Sequence, residues 1–200
     1  MCSYKTLRKI QSHGKANREE TLKIQRRRAT LKMNSAIRQR LISMNADSPP
    51  LLAYLEKKGI TLDDLISAAL ELFVPHPGVE TEKEAAALLR EEFYDILSDV
   101  NVSCLVVACF RAQEDAENGR IPGLSKERFL GRPGLVADEL LGLAIANYIA
   151  GVRGVFEFTR FDQAKPGILK KLGPITNDAI GGLVAGVSSN MYTRAFRRAK

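Results

Sequence analysis

The chain has 200 residues, 45% of them hydrophobic, with 30 Lys+Arg against 23 Asp+Glu for a formal charge of +7. That length and apolar content suffice for a buried core and exclude both a wholly disordered chain and a small disulfide-stapled scaffold. The charge is segregated: residues 1–40 carry 12 Lys/Arg and 2 Glu, residues 41–137 carry 9 and 16, and residues 138–200 carry 9 and 5.

Residues 1–43 are basic and hold only scattered apolar residues, so they read as a basic flexible extension. No aromatic residue beyond Tyr4 offers a stacking platform there, and no nucleic-acid partner is expected. Contact of this extension with an anionic membrane surface stays open, as does a homo-oligomer. From residue 47 to about 195 the pattern is helical throughout, predicting an all-α domain. Asp-Ser-Pro-Pro precedes LLAYLEKKG, which Gly59 ends. Thr61 with Asp64, and Thr81 with Glu84, are spaced as N-terminal capping boxes, the second opening a helix from Glu82 to about Leu97. Val102 to Glu117 continues as a helix up to Asn118-Gly119; a buried strand at Val100 to Phe110 is the weaker reading, because the polar continuation RAQEDAENG has helical character.

The last third changes texture. Twelve of the 15 glycines lie between Gly119 and Gly186. Two apolar helices are predicted, about Gly134 to Ala150 and Ile175 to Ala195, joined by the segment GVFEFTRFDQAKPG. Asp138, Gly142 and Ala146 recur every four residues in the first helix, and Asp178, Gly182 and Gly186 in the second. Each set lies on one helix face, where missing side chains let backbones approach. An interior glycine costs a helix about 1 kcal/mol against alanine, so close packing beneath a site is expected to be the reason for these.

The residue inventory narrows the chemistry. Three cysteines, Cys2, Cys104 and Cys109, show no CxxC spacing and fit a reducing compartment. Two histidines, His13 and His76, are too few for a His-rich zinc site. The longest charge-free runs, Leu140 to Val152 and Ala179 to Thr193, are 13 and 15 residues, short of a membrane span. With no secretory signal pattern, a cytoplasmic location is expected. Phosphatase signatures built on Cys-x5-Arg, DxDx[TV] or Arg-His-Gly, and the GxxxxGK[ST] loop, are all missing from the sequence.

After residue 137 only five carboxylates remain: Asp138, Glu139, Glu157, Asp162 and Asp178. Asp138 and Asp178 head the small-residue faces near helix starts, where the macrodipole should keep them ionised. If those faces pack together, the carboxylates approach each other, and a divalent cation is the simplest compensation. Between them runs Arg160-x-Asp162-x-x-Lys165-Pro166-Gly167, whose two cations suit a phosphate; the plainer reading is a turn with a salt bridge.

ADELLGLAIANYIAG (Ala137 to Gly151), GVFEFTRFDQAKPGILKKL (Gly154 to Leu172) and NDAIGGLVAG (Asn177 to Gly186) together resemble the phosphatidylglycerophosphatase A family. The strong match covers about residues 135–193; a weaker one, with Pro75-His76-Pro77 and the Ala116 to Gly119 helix end, reaches back to about residue 50. The resemblance implies an all-helical, magnesium-dependent phosphomonoesterase. It carries Asp138, Glu139, Asp162 and Asp178 over as metal-binding and catalytic positions, and Lys165 as part of the F-D-x-x-K-P stretch; Arg160, in the same stretch, is the second expected phosphate contact. Asn177 stands where the family has the first acid of an Asp-Asp pair. Lacking long apolar spans, the chain looks more like the soluble archaeal branch that resembles α-ribazole-5′-phosphate phosphatase, in cobalamin nucleotide-loop assembly. A phosphatidylglycerophosphatase in phospholipid synthesis is the alternative, and a non-enzymatic helical module binding nucleic acid or protein is a second one.

Overall fold

A computed structural model describes residues 48–131 and 134–199; the expectations for residues 1–43 lie outside them. The described residues form eight α-helices and one 3₁₀ turn, with no strand, so the domain is all-α. Helix α1 (Pro50–Lys57) has proline in its first turn and is followed by Gly59 at φ 80°. Helices α2 (Leu62–Glu71) and α3 (Glu82–Ile96) start at the capping boxes read from sequence: the Thr61 and Thr81 hydroxyls accept from the Asp64 and Glu84 N–H groups, and those acids accept from the threonine N–H groups in return. Helix α4 (Val100–Glu117) is capped by Asp99, which accepts from the Asn101 N–H, so the buried-strand reading of Val100 to Phe110 is excluded. A short α5 (Lys126–Leu130) comes next.

Two boundaries differ from expectation. Helix α6 (Ala137–Ala150) begins three residues after Gly134. The stretch read as a connecting segment is helix α7 (Val152–Ala164). Its buried residues, Gly154, Phe158 and Phe161, recur at four and three residues and give it an apolar face that the interspersed charges obscure in sequence. Gly151, at φ 64°, is the sole residue between α6 and α7, a backbone state that glycine adopts without penalty. The 3₁₀ turn (Gly167–Lys171) then leads into α8 (Pro174–Arg198).

Helix α8 is buried around most of its circumference and forms the axis of the domain. Helices α2, α3, α4, α6 and α7 and the 3₁₀ turn all pack on it. The two small-residue faces do meet. A Cβ on Gly142 would stand 2.6 Å from the Asp178 carbonyl oxygen and from the Phe158 ring. One on Gly182 would run into the Gly142 carbonyl oxygen, and one on Gly186 would stand 2.7 Å from Ile149 Cβ. Gly154 meets the Ala146 carbonyl in the same way, so α7 closes on α6 as tightly as α6 closes on α8. Among the described residues no single helix is long and apolar enough to cross a membrane; α3 and α4 pass that test only as a pair bent by 88°.

Gly182→Ala should test this contact. Alanine gains about 1 kcal/mol of helix propensity, but the obstacle is backbone and cannot rotate away, so a net loss on the order of 2 kcal/mol is expected in chemical denaturation. An unchanged or higher midpoint would show that α6 and α8 are free to move apart.

Candidate functional site

The site is built from the ends of three helices. Phe158 and Phe161 seat α7 in the core, which carries Asp162 in its last turn and Lys165 as its C-terminal cap. Lys165 has φ 46° and ψ 57°, the sole non-glycine residue at positive φ among the described residues. A left-handed lysine costs roughly 1 to 3 kcal/mol and persists where its surroundings fix it. Here the fixing is visible. The Lys165 ammonium donates to Asp162 Oδ1 at 2.6 Å, Asn177 Oδ1 at 2.5 Å and Asp178 Oδ1 at 2.9 Å. One cation thus ties the end of α7 to the start of α8.

Asn177 is oriented for this contact. Its Nδ2 donates back to the Gly173 and Pro174 carbonyls at 3.0 and 2.9 Å, which leaves its oxygen facing Lys165. An aspartate there would set an acceptor against those two carbonyls, so the amide fits this arrangement better than the acid expected from the Asp-Asp pattern. The signal was the substitution itself.

Asp178 is 4% exposed and Asp138 9%, which rules out reading them as ordinary acids on solvated helix ends. Asp138 accepts the Glu139 N–H at 3.1 Å, while the Glu139 side chain lies on the exposed surface. Burial pushes the Asp178 carboxyl up to about 6; Lys165 opposes this by hydrogen bond and charge, and the nearby Asp162 and Asp138 charges add to it. The macrodipole therefore does not dominate. One reason is position: α8 begins at Pro174, so Asp178 stands more than a full turn inside. For Lys165, burial works most strongly against the charge, but the hydrogen bonds it donates to Asp162 and Asp178, together with their charges, outweigh it and leave the ammonium above its usual value.

Arg160 is committed elsewhere. It donates to Glu157 Oε1 at 2.6 Å and to the Leu72 carbonyl at 2.8 Å, bracing α7 against the end of α2. The salt bridge foreseen in the RxDxxKPG stretch exists, between Lys165 and Asp162. As placed, no three His, Cys, Asp or Glu side chains among the described residues could hold a metal ion together. Between Asp162 and Asp178 the positive charge is the lysine's. The donors are nonetheless all hard oxygens, the kind that suits Mg²⁺.

Sequence reading missed Gln113, buried in α4, whose Oε1 accepts the Ile175 and Thr176 N–H groups at the start of α8. The available signal was negative: Gly173-Pro174 opens a helix with no Ser, Thr, Asp or Asn to cap it.

No family model matches the chain. An uncharacterized protein of Methanocaldococcus jannaschii, MJ1330, is 33% identical over 133 residues, which span 64% of this chain and 99% of that protein. The low temperature requirement C protein of Listeria monocytogenes superposes with a TM-score of 0.61 at 24% identity, over 74% of this chain and 94% of its own. The ypjQ protein of Bacillus subtilis gives 0.59 at 20% identity over 75% and 94%. At those identities the two structures share the fold alone.

The Asp178 carboxyl carries a sign that can be checked. Its folded value of about 6 lies above the ordinary 3.8, so the native state holds more protons between those values. Its contribution to stability is complete below about 3.8 and is lost as pH rises through about 6. In chelator-treated protein, Asp178→Asn should flatten the fall of the denaturation midpoint across that interval; an unchanged slope would place the titration on another group.

Proposed function

Since this chain belongs to the family of the uncharacterized protein MJ1330, we propose from its own residues that it is a metal-dependent phosphatase acting on phosphate monoesters. The observation that carries this reading is the convergence of buried Asp178 with half-buried Asp162 and Asn177 on a single ammonium, with Asp138 near enough to raise Asp178 further. Two carboxylates on one lysine, with the Asp138 charge acting on Asp178, leave the cluster negative, and such a set is compensated best by a hard divalent cation. Asp138, Asp162 and Asp178 do not converge on one point as placed, so they would hold Mg²⁺ only after turning toward one another, with Asn177 offering a neutral oxygen. A bound Mg²⁺ supplies polarisation of a phosphoryl oxygen and a water acidic enough to be a nucleophile at neutral pH.

The chain's own groups do the rest. Lys165 is the better candidate to neutralise phosphate oxygens, because its ammonium already lies among the acids, whereas Arg160 would have to release Glu157 and the Leu72 carbonyl. Asp162 and Asp178 hold Lys165 charged and oriented. Glu139, exposed beside Asp138, is open to solvent and can exchange protons with it. The motif resemblance favours a small substrate, α-ribazole-5′-phosphate.

Phosphate release with Mg²⁺ from α-ribazole-5′-phosphate, phosphatidylglycerophosphate and simple nucleotides tests the reading. Asp162→Asn and Asp138→Asn should each lose activity by about a hundredfold or more while keeping their helical circular dichroism. Near-normal turnover in both variants would sink the site. Release from the lipid alone would move the substrate to phospholipid synthesis, and inertness on every monoester would favour a non-catalytic helical module.

A further inference from the structure

The N-terminus of a helix leaves its first N–H groups without helical partners, and α8 has no side-chain cap of its own. These groups are nevertheless satisfied. Pro174 has no N–H, the Asn177 N–H bonds the Gly173 carbonyl at 2.8 Å, and the two between them, on Ile175 and Thr176, point to Gln113 Oε1 at 3.0 and 3.4 Å. A cap from 62 residues away does what a neighbouring serine or aspartate does elsewhere. The amide is held in that orientation: Nε2 donates to Glu117 Oε1 at 2.7 Å, one turn on in α4. Gly173 leaves room for it, because a Cβ there would stand 2.6 Å from the Gln113 amide carbon.

The cluster of the candidate site begins directly after these capped residues. Asn177 bonds back to Gly173 and Pro174 and forward to Lys165; Asp178 is the next residue. We infer that Gln113 is a positioning residue for that site: by fixing where α8 begins, it sets the Asn177 and Asp178 oxygens at the distance that grips Lys165. Its importance for metal binding rests on the phosphatase reading; its hold on Lys165 does not.

The experiment compares Gln113→Met, which keeps shape and burial but removes the acceptor, with Thr81→Ala, which removes the side-chain cap of a different helix, α3. Glu117→Ala, at an exposed position, frees the amide to turn and serves should the methionine variant not fold. Two readouts are taken: hydrogen exchange at the ¹⁵N-labelled Lys165 ammonium, and Mn²⁺ binding by calorimetry. Gln113→Met and, more weakly, Glu117→Ala should speed exchange at Lys165 and weaken Mn²⁺ binding, by about tenfold in the methionine variant. Thr81→Ala should leave both at wild-type values. The double variant Gln113→Glu/Glu117→Gln, which keeps the acceptor and reverses the side-chain hydrogen bond, should restore both. Unchanged Lys165 exchange in Gln113→Met and Glu117→Ala, or an equal effect of Thr81→Ala, would overturn the inference. A wild-type protein that binds no Mn²⁺ would remove the metal reading alone, and exchange at Lys165 would then decide the role of Gln113.

Discussion

Everything at the candidate site depends on two helices being allowed to touch backbone to backbone. At Gly142 and Gly182 the surfaces of α6 and α8 have no side chains, and the Gly142 carbonyl oxygen occupies the space a Cβ on Gly182 would need. At that separation the acids on each face, Asp138 and Asp178, act on one another electrostatically. Alanine at either glycine would hold the helices apart and separate Asp138 from Asp178 without touching any charged group. The glycines give up helix propensity of about 1 kcal/mol each, and the return is a geometry that no larger residue permits. The clash with backbone outweighs that propensity, so stability and site geometry both favour glycine at these positions.

The second constraint is the handling of buried charge. An isolated carboxylate at 4% exposure would be strongly disfavoured, and Asp178 survives by sharing Lys165 with Asp162. Lys165 reaches three oxygens, and its left-handed backbone delivers the ammonium to them. Burial keeps Asp178 hard to ionise despite a salt bridge at 2.9 Å, and the charges of Asp162 and Asp138, which a single ammonium does not balance, add to it. Residual frustration of this kind is common where a protein keeps charge for use.

Much of this was legible in the chain. Thr61 with Asp64, and Thr81 with Glu84, announce helix starts through local hydrogen bonds, and α2 and α3 begin there. The four-residue recurrence of Asp138, Gly142 and Ala146, and of Asp178, Gly182 and Gly186, placed the small faces correctly because periodicity is a property of a helix by itself. The segment around Arg160 and Asp162 was read as a connection because its charges obscure an apolar face; Phe158, packed against Gly142 and Gly181, and buried Phe161 make it a helix. Arg160 looked like a phosphate ligand only while its partners in Glu157 and the Leu72 carbonyl were unknown. Gln113 carried no signal at all, since a cap supplied across 62 residues leaves the local sequence merely without one.

The all-α class, the two capping boxes, the two small faces and the residues able to carry charge could be read from the chain, because they arise from short-range hydrogen bonding and from helical repeat. Packing of the helices is what put Lys165 among the acids, made Asp178 resist ionisation and brought Gln113 to the start of α8. Those outcomes depend on desolvation and on contacts between residues far apart in the chain, quantities that exist only once the helices have packed.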